Sequence, residues 1–331
     1  MNQSSQLSPG TATNRPSSLL LVLALLAVYI IWGTTYLANR FGLLGMKPFI
    51  LSTFRYALVA ILLLAFAGIR RLSFPSWKNA RVLAISGLLM LVGGSGLVVT
   101  GEQYINSGAT AVIIATEPLL FLLLDRRNRK TYSAGTLTGI ALGFAGIFLF
   151  SRFTSTGGDA LTGASSGLDV LKGTLLVLIS TVFWVAGTLY SRNQTASTAS
   201  PVTNAAVQHI AGAIACVLIA ALRGDWKGFH PAQVTAAAWG GLAYLVVMGS
   251  LVAFMAFMWL VKVQPPAVVS THTYVNPIVA VLAGWMLANE TIGLLQLAAL
   301  VMVLLGVLLV QSRVRLKFFL GRRQPRCEPG S

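Results

Sequence analysis

Residues 18–39 read SLLLVLALLAVYIIWGTTYLAN, and residues 171–191 read LKGTLLVLISTVFWVAGTLYS. Both stretches are mostly apolar over about 20 residues, the length that an α-helix needs to cross the hydrocarbon core of a bilayer. The segment GTTY at 33–36 returns as GTLY at 187–190, 154 positions later. The sequence therefore predicts two membrane-spanning helices that occupy equivalent places in two related halves.

The composition excludes an ordinary soluble protein. Of 331 residues, 56% are hydrophobic and 10% are charged, whereas a soluble domain has about 25% charged residues. Ten apolar stretches of spanning length use nearly the whole chain and leave no room for a large soluble domain. The predicted spans are 18–39, 48–69, 80–102, 106–124, 134–152, 171–191, 201–222, 233–260, 265–288 and 292–312.

The internal repeat continues through the other spans in the same order, with offsets of 153 to 159 residues. The matches are proline at 48 and 201, Gly-Ser at 94–95 and 249–250, and Glu-Pro at 117–118 with Asn-Pro at 276–277. Because each half has an odd number of spans, the halves must lie in the membrane with opposite orientations. The predicted fold is an all-α integral membrane protein with ten transmembrane helices in two inverted five-helix repeats.

Composition shifts mark the expected domain boundaries. Ser/Thr/Pro-rich, Gly/Ser-rich and basic segments flank the repeats and are typical of disordered or flexible chain. We expect a disordered amino-terminal tail at 1–17, a first repeat at 18–152, a linker at 153–170, a second repeat at 171–312 and a basic tail at 313–331.

The distribution of positive charge predicts the topology. If the amino terminus lies inside, 17 of the 24 Lys and Arg residues fall on the inner side, and six, including Arg40, fall on the outer side. The positive-inside rule then places both termini in the cytoplasm and the protein in the cell (inner) membrane as a multi-pass protein. The net charge of +16 is thus a topology signal. We expect a lipid bilayer and a small-molecule substrate as partners, and no nucleic acid.

The cysteines and histidines form no metal or catalytic motif. Cys216 lies inside a span and Cys327 in the tail, and His209, His230 and His272 lack metal-ligand spacing. No phosphate-binding Gly-rich loop follows a strand. We expect no metal, no cofactor, no ATP-driven activity and no enzyme.

Glycines at four-residue spacing in span 5 predict a close helix contact. Gly135, Gly139 and Gly143 leave one helix face without side chains, and such faces let two helices approach closely. The contact would lie within the scaffold or in a homodimer.

Four segments resemble the drug/metabolite transporter superfamily, in its ten-span EamA family, over about residues 18 to 312. They are YIIWGTTY at 29–36, FRYALVA at 54–60, YVNP at 274–277 and Glu290 at the end of span 9. The resemblance implies export or import of small organic solutes such as amino acids, metabolites and drugs. The chain differs at the end of span 4, where LDRR at 124–127 stands in place of the family's frequent Gly-Glu pair.

Spans 4 and 9 are predicted to build the polar cavity that a transporter needs near the membrane midplane. Pro118 and Pro277 each remove a backbone donor, so we expect a helix break at both. Glu117 and Asn276 precede these prolines, and pseudo-symmetry would place them opposite each other across the cavity.

Glu117 is the strongest candidate for a functional group. It lies about 16 Å into its span, close to the midplane, and an ionisable residue at that depth is a functional hypothesis by default. It would couple transport to protons or bind a cationic substrate. The alternatives are a permanent pair with Arg55, or a protonated carboxyl bonded to a neighbouring helix.

Two further polar residues each have two interpretations. Arg55 in span 2 would contact the ligand or hold helices together. His209 would shuttle protons, although a hydrogen-bonded core histidine is the more common case.

Aromatic and hydroxyl residues near the repeated GT-x-Y segment suit an amphipathic or aromatic solute, because Trp and Tyr offer a stacking face and one donor each. For Tyr36 and Tyr190 an interfacial aromatic belt is the alternative. The candidate set is Trp32, Thr34, Tyr36, Trp184, Thr188, Tyr190 and Tyr274.

These observations together predict a secondary active transporter that exports small organic metabolites by alternating access. The alternatives are a membrane-embedded enzyme and a solute receptor that use the same cavity. An enzyme would need a second acid/base group or a metal cluster near Glu117. A channel would need rings of polar groups along a continuous pore.

Overall fold

The chain folds into helices throughout the residues that the structure describes. In this computed structural model those residues are 17–124, 134–153, 167–192, 199–264, 266–269, 271–288, 290 and 293–320. No β-strand occurs within these ranges. The prediction of an all-α membrane protein is confirmed.

The first half starts with two uninterrupted helices. The Ser17 side chain accepts a hydrogen bond from the Leu20 amide at 3.2 Å and caps the first helix, and Pro48 opens the second, where its missing N–H is harmless. The elements are α1 (Ser18–Leu43), α2 (Pro48–Ile69), α3 (Trp77–Gly87), a first π-helix (Leu88–Gly96), α4 (Leu97–Gly101), α5 (Ser107–Ile114), α6 (Glu117–Leu124) and α7 (Ala134–Phe153).

The second half repeats this order, including the π-helix in its third span. The elements are α8 (Gly167–Arg192), α9 (Pro201–Leu222), a 3-10 turn (Pro231–Gln233), α10 (Ala236–Tyr244), a second π-helix (Leu245–Phe254), α11 (Met255–Val263), α12 (Pro266–Val269), α13 (His272–Ala288) and α14 (Leu294–Leu320). Since α1 and α14 run past residues 39 and 312, both are longer than predicted. The tail at 1–17 and the linker at 153–170 lie largely outside the described residues.

The helices have the lengths and surfaces of membrane spans. Seven helical segments of at least 18 residues are apolar enough to cross a bilayer, and three shorter apolar helices add Leu137–Phe150, His272–Ala288 and Leu294–Leu309. Large apolar side chains such as Leu222 and Leu294 are exposed on the outside of the bundle, as expected of a lipid-facing surface. The protein is thus a multi-pass membrane protein. We name the two ends of the bundle after α1, as the Ser18 end and the Leu43 end.

Equivalent helices of the two halves pack against each other. The most extensive contacts join α7 to α14 and α2 to α9. A Cβ atom at Gly306 would lie 2.6 Å from the Gly143 nitrogen and 2.7 Å from the Gly139 carbonyl oxygen. Two of the three glycines predicted to form a close contact therefore serve packing within the chain, where small residues let backbones approach.

The two prolines that were predicted to break helices differ. α5 ends at Ile114 and α6 begins at Glu117, so the chain is interrupted directly before Pro118. The predicted break at Pro277 is wrong, because this residue lies inside the continuous helix α13. The interruption of that span falls earlier, between α12 and α13. Pro277 is the sixth residue of α13, so its missing N–H removes the hydrogen bond to the carbonyl of Thr273, yet the helix continues past it.

Candidate functional site

A central cavity lies between the two halves. Its wall is built from α1, α2, α8, α9, α13, the α5–α6 interruption and both π-helices, and π-helical segments are frequent at functional sites. Each π-helix contributes a Gly-Ser pair of the repeat. Six predicted site residues line the cavity: Trp32, Tyr36, Arg55, Glu117, Trp184 and His209.

Several other candidates face elsewhere. Thr34 points away from the cavity, and its hydroxyl bonds to the Tyr244 hydroxyl at 2.6 Å. The next residue, Thr35, lines the cavity instead. Tyr274 packs against a hydrophobic cluster that includes Val112. Tyr190 lines neither this cavity nor the second one described below.

Asn276 does not face Glu117 across the cavity, so this expectation is wrong. The side chain is buried, with 2% of its surface exposed. With the amide nitrogen oriented towards them, it donates to the carbonyls of His272 and Tyr29 at 3.0 and 3.1 Å. Asn276 thus holds α13 against α1.

His272 is the residue that meets Glu117. Its Nε2 lies 3.7 Å from Glu117 Oε2, and both side chains are buried. His272 Nδ1 lies 2.8 Å from the Val269 carbonyl oxygen, a contact that requires a proton on Nδ1. Nε2 therefore carries a proton only when the imidazole is charged. The contact becomes an ion pair on protonation of His272, and it joins the two halves.

Arg55 does not pair with Glu117. Its Nε donates to Ser250 Oγ at 3.0 Å and its Nη1 donates to Ser95 Oγ at 3.4 Å. The two serines are equivalent positions of the repeat, one on each π-helix. Within the part of the chain that the structure describes, no carboxylate forms a salt bridge with Arg55.

Trp32 connects these two polar groups. Its Nε1 donates to the Gly249 carbonyl oxygen at 3.3 Å, next to Ser250. Its ring centroid lies 5.6 Å from that of Trp184 and 5.3 Å from that of His272, both in edge-on geometry. The indole pair forms part of the apolar cavity wall, and its role in binding an aromatic solute stays a prediction.

His209 has the geometry of a core histidine as well as a place on the wall. Nδ1 contacts the Ala205 carbonyl oxygen at 2.8 Å, and the ring packs edge-on against Tyr56 and Phe254. These contacts position the helix α9 against α2 and the second π-helix.

A second cavity lies closer to the Ser18 end, between α3, α8, α9 and α11. Thr188 lines this cavity and not the central one. Trp184 of the central cavity and Phe257 of the second cavity are in contact, with ring centroids 6.0 Å apart. The other polar lining residues are Ser191, Asn204, Gln208 and Lys262.

An ionic cluster that was not predicted from the sequence lies at the Leu43 end. Arg40, which was counted as a loop charge, is only 1% exposed and forms an ion pair with Glu290. Glu290 also accepts hydrogen bonds from the Ser107 hydroxyl at 2.7 Å and from its backbone amide at 3.3 Å. Glu102 is fully buried and interacts electrostatically with Arg40. The helical continuation of α1 past residue 39 is the signal that would have revealed Arg40 inside the bundle.

The repeated helix order, the cavity between the halves and the interrupted span define a multi-pass membrane transport protein. The chain belongs to the EamA-like transporter family, whose model matches residues 19–152 and 171–312. The resemblance found in the sequence is therefore confirmed.

Individual relatives agree with this assignment. The chain is 32% identical to the uncharacterized inner membrane transporter YedA of Escherichia coli, over 87% of this chain and 89% of the relative. It is 26% identical to an uncharacterized transporter of Synechocystis, over 94% of each. A solved crystal structure with 16% identity shares the fold at a TM-score of 0.62 and covers 90% of this chain and 99% of its own. These relatives point to a transporter and not to an enzyme.

Proposed function

We propose that this transporter exports small organic solutes with an apolar or aromatic part, and that Glu117 couples their transport to protons. The observation that carries the proposal is the Glu117–His272 contact of 3.7 Å in the wall of the central cavity. Alternating access between the two five-helix halves would move the solute.

The coupling follows from the position of this pair. A charged carboxylate at the membrane centre costs at least about 2.5 kcal/mol unless it is paired, solvated or protonated. Glu117 belongs to the first half and His272 to the second. Any movement of one half against the other changes their separation, so the protonation state of Glu117 and the conformation are thermodynamically linked.

The second cavity supports the direction of transport. It lies near the Ser18 end, which the charge distribution predicts to be cytoplasmic, and it offers hydroxyl, amide and ammonium groups to an entering solute. Separation of Trp184 from Phe257 would join it to the central cavity. From the same charge distribution we propose that both termini lie in the cytoplasm and that the protein lies in the inner membrane of the cell.

The test is transport by purified protein in proteoliposomes. A thermal-shift screen of a metabolite and drug library first supplies the solute, because a ligand of the folded state raises the melting temperature. The Glu117→Gln variant is expected to lose uptake driven by a pH gradient and to retain exchange of solute for solute, since its side chain cannot release a proton.

Asp225→Asn is the matched control. This carboxylate pairs with Lys47 and Arg223, at 3.5 and 3.4 Å, and lies outside both cavities. The control variant should keep gradient-driven uptake. Unchanged gradient-driven uptake by Glu117→Gln would show that the coupling group has been assigned wrongly.

A further inference from the structure

Arg55 is the cation of the central cavity that has no carboxylate partner among the described residues. Its two hydrogen bonds go to neutral serine hydroxyls, Ser95 on one π-helix and Ser250 on the other. Glu117, the acidic side chain of the cavity wall, is engaged with His272. The buried Glu102, which does not line the cavity, interacts electrostatically with Arg55 but forms no salt bridge with it. The guanidinium is therefore oriented by the two serines and has no ion pair among the described residues.

An arginine in this state is suited to binding an anion. A guanidinium has five N–H donors in a fixed plane, and the two serines occupy only two of them. The remaining donors match the two oxygens of a carboxylate. Since an uncompensated charge inside the membrane is costly, an anionic ligand would also remove an unfavourable term.

Gly249 lies directly against the guanidinium, where no side chain fits without displacing a neighbour. A Cβ atom at this position would lie 3.2 Å from Arg55 Nη2 and 3.1 Å from Thr35 Cγ2. The carbonyl of the same glycine accepts the hydrogen bond from Trp32. The cationic group and the aromatic wall therefore meet at one residue.

We propose that Arg55 binds the carboxylate of the transported solute, with Ser95 and Ser250 as positioning residues, and that Trp32 and Trp184 contact the apolar or aromatic part of the same molecule. The substrate class is thus an amphipathic carboxylate. This inference rests on the proposed function, because it takes the central cavity as the transport site.

The experiment compares three probes of similar size and different charge by isothermal titration calorimetry of the full chain in detergent. They are 3-phenylpropionate, 3-phenylpropionamide and 3-phenylpropylamine. The wild-type protein is expected to bind the carboxylate at least about tenfold more tightly than the amide or the amine, since only the carboxylate brings a negative charge and two acceptor oxygens to Arg55.

Three variants locate the preference. Arg55→Gln should bind the carboxylate and the amide equally, and Arg55→Lys should recover part of the preference as a point charge. Arg81→Gln removes an exposed arginine that lies over the Trp77 ring, outside the cavity, and should bind like the wild type.

Three results would overturn the inference: no carboxylate binding by the wild type, equal binding of carboxylate and amide, or a preference that survives in Arg55→Gln. A wild-type series without a carboxylate preference overturns the inference even if that variant does not fold, and Arg55→Lys then tests whether the preference depends on this residue. The calorimetric measurement uses no pH gradient. If the wild-type protein shows no carboxylate preference but its gradient-driven transport is intact, only this inference is refuted. Normal transport by Glu117→Gln refutes only the coupling.

Discussion

Arg40 and Arg55 are two arginines inside the same bundle with opposite surroundings. Arg40 is buried and has the Glu290 carboxylate as its partner, whereas Arg55 lines the cavity and contacts two serine hydroxyls. A paired buried charge depends strongly on its partner. A charge held only by hydroxyls keeps its capacity to bind an anion from outside the protein.

The difference separates a structural contact from a binding group. The Arg40–Glu290 pair, with Ser107, joins α1, the start of α5 and the segment that follows α13 at the Leu43 end. It holds parts of both halves together. Arg55 also reaches both halves, but through contacts that leave most of its donors available.

Breaking the Arg40 pair should produce the largest effect. Glu290→Gln removes the carboxylate that forms the ion pair with the buried Arg40 guanidinium, and we expect a loss of about 3–5 kcal/mol in the free energy of unfolding. Arg55→Gln should cost much less, because it removes a charge without isolating another. Unfolding of the detergent-solubilised protein measures both values.

The double variant Arg40→Gln/Glu290→Gln is the control for that comparison, since it removes both charges together. It should recover part of the stability that Glu290→Gln loses. If Arg55→Gln destabilises the protein as strongly as Glu290→Gln does, Arg55 is a structural contact like Arg40 and not a binding group.

A narrower change tests the space around Arg55. Gly249→Ala would place a methyl group 3.2 Å from Arg55 Nη2, and we expect binding of 3-phenylpropionate to weaken by about tenfold, a typical cost of overpacking. Gly240→Ala, whose Cβ would meet no atom within 4 Å, should leave the affinity unchanged. Equal affinities of the two variants would contradict the role given to Gly249.

The smallest expected effect distinguishes the two serines. Ser250 lies 3.0 Å from Arg55 Nε and Ser95 lies 3.4 Å from Nη1. Ser250→Ala should weaken binding of 3-phenylpropionate by about fivefold, the equivalent of one hydrogen bond of about 1 kcal/mol. Ser95→Ala should change it by less than about twofold. A larger effect of Ser95→Ala in the same calorimetric titration would reverse the assignment.

The residues of the site show how far sequence reasoning extends. Glu117, Arg55, Trp32 and Trp184 were identified as candidates and line one cavity. The predicted candidate is Thr34, but the neighbouring Thr35 lines the wall. Each residue turns an α-helix by about 100°, so a shift of one position decides which face a side chain occupies.

Pseudo-symmetry was a reliable guide to spans but not to contacts. It matched Glu117 with Asn276, whereas the contact of Glu117 is His272, one helical turn earlier. The interruption of α12 and α13 before His272 and the continuous helix through Pro277 account for the difference. Equivalent residues of two divergent halves share a position along the chain, while their neighbours depend on local helix geometry.

Composition and the lengths of the apolar stretches determined that this chain is an all-α multi-pass membrane protein, and the repeated motifs determined its family. These properties depend on local hydrophobicity and on order along the chain, which any reader of the sequence can measure. The tertiary structure alone decided that Arg40 pairs with Glu290, that Glu117 meets His272 and that Arg55 lies between Ser95 and Ser250. Such partners are 40 to 250 positions apart, and their meeting depends on how each helix is rotated and packed against the others.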